Sequence, residues 1–273
     1  MKRWFITGAS SGLGYGMTER LLARGDAVVA TARRVAALDA LRAAYPERLT
    51  VAALDVTDTD ALRRTVDRAF AAAPIDVVVS NAGYGLFGAA EELSDAQIAR
   101  QIATNLTAPI QLVRAVLPHL RARGGGRVLQ VSSEGGQTTY PGFSLYHASK
   151  WGIEGFVEAV ADEVAPFGIA FTLIEPGPTG TNFGAALDQA PASAAYASSP
   201  AGAMRTAITT GAFELTGDAN RTVAAMIAAG DAATPPRRLA LGSTAYVNIE
   251  RALDARLAAL RAQRDVAYAA DRS

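Results

Sequence analysis

Tyr146 and Lys150 stand four residues apart in Tyr146-His147-Ala148-Ser149-Lys150. On a helix that spacing puts both side chains on one face, and an ammonium beside a phenol favours the phenolate. The expectation is a Tyr146 pKa about one to three units below the ordinary value near 10. Such a phenol can donate or accept a proton near neutral pH. Ser133, 13 residues upstream in Val131-Ser132-Ser133-Glu134-Gly135-Gly136, ends an apolar run. A hydroxyl at a strand's carboxyl end can hydrogen-bond a carbonyl oxygen of a ligand bound there. Asn105 falls in the middle of a helical pattern, a place asparagine disfavours. It marks either a kink or a water-bridged side chain, unless it has a task. His147 is turned about 100° from Tyr146 and reads as a helix-surface histidine, as does His119.

A second group of residues suits phosphate. Thr7-Gly8-Ala9-Ser10-Ser11-Gly12-Leu13-Gly14 follows the first apolar run and opens the first helical pattern. Gly8, Gly12 and Gly14 permit a tight turn and let main-chain N–H groups approach a pyrophosphate at the positive end of a helix. Ser10 and Ser11 add hydroxyls. The spacing departs from the commoner G-x-G-x-x-G. Arg33 lies 19 residues beyond Gly14 and is followed by Arg34, with no carboxylate beside them. A carboxylate there would take a ribose 2′-hydroxyl, whereas a guanidinium takes a 2′-phosphate. NADP(H) is therefore the expected cofactor, the alternative being two arginines on a solvated turn. Asp55 and Val56 close the third apolar run, and Asn81-Ala82-Gly83 closes the fourth. Asp55 suits the adenine amino group and Gly83 a close approach to ribose; equally, Asp55 could be a turn residue and Asn81 a strand-end anchor.

Short apolar runs must hold these groups. They are Trp4–Thr7, Ala27–Thr31, Leu49–Leu54, Ile75–Ser80, Arg127–Val131, Ala170–Ile174 and Arg238–Leu241. Their unbroken apolar character predicts strands covered on both faces, as in a parallel sheet. Helical periodicity fills the intervals, with Asp58 and Ser94 as N-caps and Gly25 past the end of the first helix. The expected fold is α/β, a doubly wound Rossmann-type parallel sheet of about seven strands flanked by helices, in one domain over 1–273. Residues 177–216, rich in Ala, Ser, Thr, Pro and Gly, are expected to form a loop or weakly helical substrate-binding lid. A helix is expected over Ala219–Ala229, and another, amphipathic, over Ile249–Ala262, the latter within a C-terminal helix and tail over 244–273.

Composition removes several alternatives. The 273 residues include no cysteine, which excludes a thiolate nucleophile, an iron–sulfur cluster and a cysteine zinc site. No metal site is expected. Lys+Arg and Asp+Glu number 26 each, so neither nucleic acid nor an anionic membrane is an expected partner. The opening apolar run is too short for a signal peptide, and no segment suits a membrane span, so a cytoplasmic location is expected.

Taken together, Thr7-Gly-x-x-x-Gly-x-Gly, Asn81-Ala-Gly, Asn105, Ser133, Tyr146-x-x-x-Lys150 and Pro176-Gly177 resemble the single-domain short-chain dehydrogenase/reductase family over roughly residues 3–265. The resemblance is to its NADP-preferring, hydroxysteroid-dehydrogenase-like members. It implies that Tyr146 is the general acid or base and that Lys150 holds the nicotinamide ribose and depresses the Tyr146 pKa. It implies that Ser133 orients the carbonyl, and that Asn105 holds a water linking Lys150 to solvent. Arg33 matches the family's basic marker for NADP(H). In Pro176-Gly177-Pro178-Thr179-Gly180-Thr181, Thr179 and Thr181 match positions that contact the carboxamide. Pro109, after Ala108, departs from the family pattern and could bend the helix carrying Asn105. A homodimer or homotetramer is implied, through the helices holding Asn105 and Trp151.

The expected reaction interconverts a ketone or aldehyde with its alcohol. Tyr140, Phe143, Phe183, Leu187, Tyr196 and Met204, near Phe87, suggest an apolar wall and substrate, although they could simply pack the lid. The alternative is a non-catalytic dinucleotide-binding regulator of the same fold, which need not keep Asn105, Ser133, Tyr146 and Lys150. A sugar-nucleotide epimerase is disfavoured by the glycine spacing and the short C-terminal part.

Overall fold

In a computed structural model, residues 1–181 and 183–271 are described. Asn182, inside the expected lid, and Arg272 and Ser273, at the end of the expected tail, lie outside the described residues. Among the described residues nine strands form: β1 Arg3–Thr7, β2 Ala27–Ala32, β3 Leu49–Ala53, β4 Val77–Ser80, β5 Leu86–Phe87, β6 Gly126–Val131, β7 Ile169–Pro176, β8 Asp188–Gln189 and β9 Arg238–Leu241. Seven make one parallel sheet in the order β3-β2-β1-β4-β6-β7-β9, while β5 and β8 pair as a separate two-residue ribbon. The order reverses direction between β1 and β4, and at such a switch point the carboxyl ends of the strands leave a crevice.

Burial explains why the strands read as continuous apolar runs. On β1, Trp4 and Ile6 join one hydrophobic layer with Val77, Val79 and Leu129, while Phe5 joins the other with Val78 and Val128. Alternate side chains thus enter opposite layers, and both layers are covered. Met17 and Leu21 of α1 (Gly12–Ala23) and Val223 and Met226 of the helix Ala219–Asp231 close the first. The second is closed by Leu62 and Val66 of Thr59–Ala72, Leu112 and Val116 of Ala108–Ala122, and Ile153 and Val157 of Ser144–Val164.

The caps act where the sequence places them. Asp58 accepts from the Ala61 N–H at 2.9 Å, and Ser94 from that of Gln97 at 3.3 Å. Gly25 has φ of +100°, the left-handed region that suits a residue just past a helix end. The proline at 109 is absorbed differently from a simple bend. Asp95–Ile102 is α-helical, Ala103–Thr107 forms one wide π turn, and α-helix resumes at Ala108. Pro109 has no N–H for the Asn105 carbonyl four residues back, and widening the turn relieves that mismatch.

Residues 177–216 are more ordered than a loop. They hold short 3-10 turns at Gly184–Ala186 and Ala194–Tyr196, the strand β8 and a three-turn helix, Pro200–Thr209. The last long helix starts at Ser243, earlier than expected, and runs to Ala262, followed by Arg264–Ala269. Among the described residues no helix is long and apolar enough to cross a membrane.

Candidate active site

The turn between β1 and α1 is shaped by what its glycines exclude. Gly8 has φ of +69°, and a Cβ there would sit 2.9 Å from the Ala82 Cα. A Cβ on Gly14 would meet the Gly8 carbonyl oxygen at 2.4 Å and the Asn81 Nδ2 at 2.6 Å. Gly12, at φ +54°, is held in the left-handed region, and a Cβ there would make ordinary contact with the Thr181 Cβ at 3.8 Å. Ser11 is the N-cap of α1, yet its side chain makes no capping hydrogen bond. By contrast Asp58, Ser94, Ser199 and Asp218 all cap their helices. The first-turn N–H groups of α1 therefore stand ready for an external anion, beside the exposed Ser11 and half-buried Ser10 hydroxyls. Leu13 packs into a hydrophobic layer, so its main chain is what faces the turn.

Asn81 anchors this turn. Its Nδ2 donates to the carbonyls of Thr7 at 2.9 Å and Gly8 at 3.1 Å. The buried Thr7 hydroxyl accepts from the main-chain N–H groups of Asn81 and Ala82 at 3.0 and 3.1 Å. The strand-end reading of Asn81 thus describes its contacts, and it holds the β1 and β4 ends together at the switch point. Gly83 lies against the Asn105 side chain. Asp55 forms a local turn, accepting from the Thr57 N–H at 3.0 Å and hydroxyl at 2.7 Å, and these bonds hold its carboxyl below the usual range. Val56 packs its side chain toward the core. Arg33 is exposed beyond β2, near enough to Asp55 to favour its charge. At the end of β7, Pro176 closes the strand and the Gly177 N–H donates to the Leu241 carbonyl. The Thr179 hydroxyl then donates to the Gly177 carbonyl at 2.8 Å, and the Thr181 N–H to that of Thr179 at 2.7 Å.

Tyr146, Lys150 and Ser133 come together at the end of β6. Tyr146 lies in the first two turns of Ser144–Val164, and the Lys150 Nζ is 5.6 Å from the centre of its ring. Lys150, 7% exposed, donates to the Val131 carbonyl at 3.0 Å. Ser133 caps a short turn, its Oγ accepting from the Gly135 N–H at 3.1 Å, and its side chain is close enough to the Tyr146 phenol to favour the phenolate. Asn105, buried within the π turn, grips Tyr84: Nδ2 donates to its carbonyl at 2.8 Å, and its N–H donates to Oδ1 at 3.1 Å. The same Nδ2 reaches the Ser149 hydroxyl at 3.5 Å, which itself donates to the Tyr146 carbonyl.

Two expectations are corrected here. The Tyr146 pKa does not lie below the ordinary value; burial pushes that phenol up to about 12, and the Glu134 and Glu154 carboxylates add to the rise, against the Ser133 side chain. Burial also brings Lys150 down to about 8, with Glu154 opposing. The ammonium is drawn to the Val131 carbonyl, and two buried carboxylates face the phenol. His147 is not a surface residue. It is 4% exposed, with Nδ1 against the Gly135 carbonyl and Nε2 accepting from the Tyr140 N–H, each at 2.8 Å. Its rotation from Tyr146 points it at the turn after Ser133, and burial favours its neutral form. His119, half-exposed, pairs with Asp67 and stacks on Phe70.

The expected apolar wall is partly assembled. Phe143 and Phe183 bracket the Tyr146 ring at 6.2 and 5.8 Å, and Phe183 and Leu187 lie where a Gly85 Cβ would be. Phe87 is fully buried beneath Phe143. Tyr140 turns its hydroxyl to Glu134 and to the Asn248 Nδ2, so its polar end is already committed. Tyr196 is on the outer 3-10 turn and Met204 on the Pro200–Thr209 helix. Unforeseen were Thr7, Ser149, and a buried group of Ser132, Glu154 and Glu175 met by the half-buried Arg238. Only Glu154 carried a signal, one helical turn beyond Lys150.

The family model for short chain dehydrogenase matches residues 2–192. An oxidoreductase of Botryotinia fuckeliana is 41% identical over 192 residues, 70% of each chain. For two further curated relatives, from Bacillus subtilis and Bacteroides thetaiotaomicron, the match covers 63% and 64% of their length, under two thirds. The crystal structure of a short-chain dehydrogenase from Streptomyces avermitilis superposes with a TM-score of 0.92 at 39% identity, over 99% of this chain and 100% of that one. An alcohol dehydrogenase from Thermococcus sibiricus, complexed with 5-hydroxy-NADP, has a TM-score of 0.72 at 25% identity over 89% and 97%.

Proposed function

The chain belongs to the short-chain dehydrogenase family, and from that premise we propose that it is an NADP(H)-dependent oxidoreductase interconverting a ketone or aldehyde with its alcohol. The observation that carries the reading is the meeting of Tyr146, Ser133 and Lys150 at a strand end, with Asn105 behind them. When bound, the dinucleotide supplies the hydride that moves to or from the carbonyl carbon.

The glycine cradle fits such a cofactor, since a side chain at position 14 would fill it and the α1 N-terminus is uncapped. Gly8, Ser10, Ser11, Gly12, Leu13 and Gly14 would take the pyrophosphate. Arg33 would take the 2′-phosphate and Asp55 and Val56 the adenine side. Asn81, Ala82, Gly83, Pro176, Gly177, Thr179 and Thr181 would line the remainder, with Lys150 on the ribose. The Thermococcus relative's bound 5-hydroxy-NADP supports the choice of dinucleotide.

In reduction, the Tyr146 phenol donates its proton to the carbonyl oxygen, and in oxidation the phenolate takes it from the alcohol. Ser133 donates a hydrogen bond to the same oxygen and stabilises its developing charge. The Lys150 ammonium supports the phenolate that forms. Phe143 and Phe183 beside Tyr146 favour an apolar substrate. Exposed Trp151, 42% accessible on the Tyr146 helix, suits assembly into a homodimer or homotetramer, which size-exclusion chromatography with light scattering tests.

The deciding experiment is a panel of carbonyl compounds with NADPH and NADH in parallel, with Tyr146→Phe alongside. Turnover of apolar ketones or aldehydes is expected from the wild type only. Exclusive use of anionic carbonyls removes the apolar substrate, and an active Phe variant removes the proposed acid.

A further inference from the structure

We infer that His147 is a positioning residue: its imidazole clamps the turn after Ser133 and so aims the Ser133 hydroxyl at the reacting oxygen. The inference rests on the roles proposed above for Ser133 and Tyr146. Beyond β6 the chain turns tightly. The N–H groups of Gly136 and Gln137 donate to the carbonyls of Ser133 and Glu134, each at 2.9 Å, and the Thr138 N–H to that of Glu134 at 3.0 Å. His147 spans this turn from outside it. Its Nδ1 meets the Gly135 carbonyl and its Nε2 the Tyr140 N–H, each at 2.8 Å, so one side chain closes the loop from Gly135 to Tyr140. A carbonyl accepts and a main-chain N–H donates, so the ring carries its proton on Nδ1 and none on Nε2.

Gly135 stands between the imidazole and Ser133. Its carbonyl accepts from His147, and its N–H donates to the Ser133 Oγ at 3.1 Å. A Cβ on Gly135 would lie 2.8 Å from the His147 Nδ1 and 3.4 Å from the Ser133 Oγ, so only glycine lets the imidazole come this close. With one lone pair of the Ser133 oxygen taken by the Gly135 N–H, the hydroxyl hydrogen is left for a substrate oxygen. A donor to a developing oxyanion helps most when it is held in place before the charge appears.

His147 is 4% exposed and follows Tyr146 on the helix, their ring centres 5.9 Å apart. The clamp and the proposed acid thus share one helix turn, and a turn anchored there keeps Ser133 in register with Tyr146. The outer side of the loop is braced separately. The Tyr140 hydroxyl donates to Glu134, Asn248 Nδ2 to the Tyr140 hydroxyl at 2.9 Å, and Arg256 Nη1 to the Gln137 carbonyl at 2.6 Å. None of these bonds involves Gly135, whose orientation is left to His147 and Ser133.

His147→Phe keeps a ring of similar shape and removes both bonds. With a ketone that the wild type reduces, kcat should fall about tenfold or more and KM stay within about twofold, since the lost support matters as charge develops. His147→Asn, whose amide NH2 can still donate to Gly135, should recover most of the loss. His147→Gln, whose longer amide reaches toward Tyr140, should recover less. In a Ser133→Ala background the His147→Phe change should cost less than about twofold, because the group it aims is gone. Histidine labelled with nitrogen-15 gives NMR signals from His119 and His147 alone, and at neutral pH His147 should show the Nδ1–H tautomer.

An unchanged kcat in His147→Phe overturns the inference, as does the same loss with or without Ser133, or an Nε2–H tautomer. If His147→Phe does not fold, the comparison of His147→Asn with His147→Gln replaces it, and equal kcat in those two overturns the inference. Absence of turnover in the wild type removes the proposed function instead, while the tautomer still decides for or against the clamp.

Discussion

Arg205, on the helix Pro200–Thr209, reaches back 113 residues to Glu92 and holds its carboxylate at 2.5 Å. The Glu92 side chain is 2% exposed and also accepts from the N–H groups of Ala89 and Ser193, at 2.8 and 2.7 Å. Arg205 further donates to the Ala190 carbonyl at 3.0 Å and lies 4.9 Å over the Phe87 ring. The outer part of the 177–216 segment is thus latched to the turn before the Asp95–Ile102 helix. Arg205→Met should leave Glu92 buried without its cation, though two N–H groups remain. The expected cost is about 2 kcal/mol, below the roughly 3–5 of breaking a fully buried pair. Limited proteolysis should cut within residues 190–210 before the sheet unfolds; resistance equal to the wild type speaks against the latch.

Tyr146→Phe keeps the ring packed between Phe143 and Phe183 and removes only the acid. We expect kcat to fall about 10²–10⁴-fold, the usual contribution of a positioned proton donor. NADPH affinity, read by fluorescence titration, should stay within about twofold, since the loss is confined to proton transfer.

Arg33 is exposed and near Asp55, free to meet a phosphate. Arg33→Asp should lower the ratio of kcat/KM for NADPH over NADH by about tenfold or more, equivalent to about 1.4 kcal/mol. A ratio that does not move assigns the 2′-phosphate to other residues.

Gly14→Ala should force apart the Gly8 carbonyl and Asn81 amide, at 2.4 and 2.6 Å from the new Cβ. Dinucleotide affinity should drop at least about tenfold, with a lower Tm, because main chain cannot give way as a flexible side chain does. Gly155→Ala is the control. It lies in the interior of the Ser144–Val164 helix with nothing within 4 Å of its Cβ position, and should gain about 0.5–1 kcal/mol.

Glu175 links stability to pH. Burial and the neighbouring Glu154 push its carboxyl up to about 7, against Arg238. Between about 4.5 and 7 the folded chain keeps a proton that the unfolded chain has released. Its contribution to stability is therefore fully present below 4.5 and is lost as pH rises through 7, at up to about 1.4 kcal/mol per unit. Glu175→Gln should remove this slope. Urea denaturation from pH 4.5 to 7.5 should show the variant gaining on the wild type by on the order of 2–3 kcal/mol. His147, held neutral by burial, contributes the opposite slope in both proteins and cancels. A constant difference across that range excludes the effect.

The strands and caps were legible in the chain because their signals are local. Phe5, between Trp4 and Ile6, is apolar since both faces of its strand are covered, and Asp58 and Ser94 bond N–H groups three residues away. The glycine turn was legible for the same reason, since positive φ at Gly8 and Gly12 is a property of those residues. So was the spacing that lets Tyr146 and Lys150 share a helix face.

Tertiary packing decided what those side chains experience. His147 became buried because the turn after Ser133 folds over it, and the Tyr146 pKa rises where the four-residue spacing implied a fall. The cause is first burial of the phenol and then Glu134 and Glu154, and the latter's setting depends on Glu175 and Arg238 from strands tens of residues away. The order in 177–216 likewise comes from Glu92 and Phe87 beneath it. Backbone preference belongs to each residue and its near neighbours, whereas burial and field at a charge sum over whatever the fold brings near.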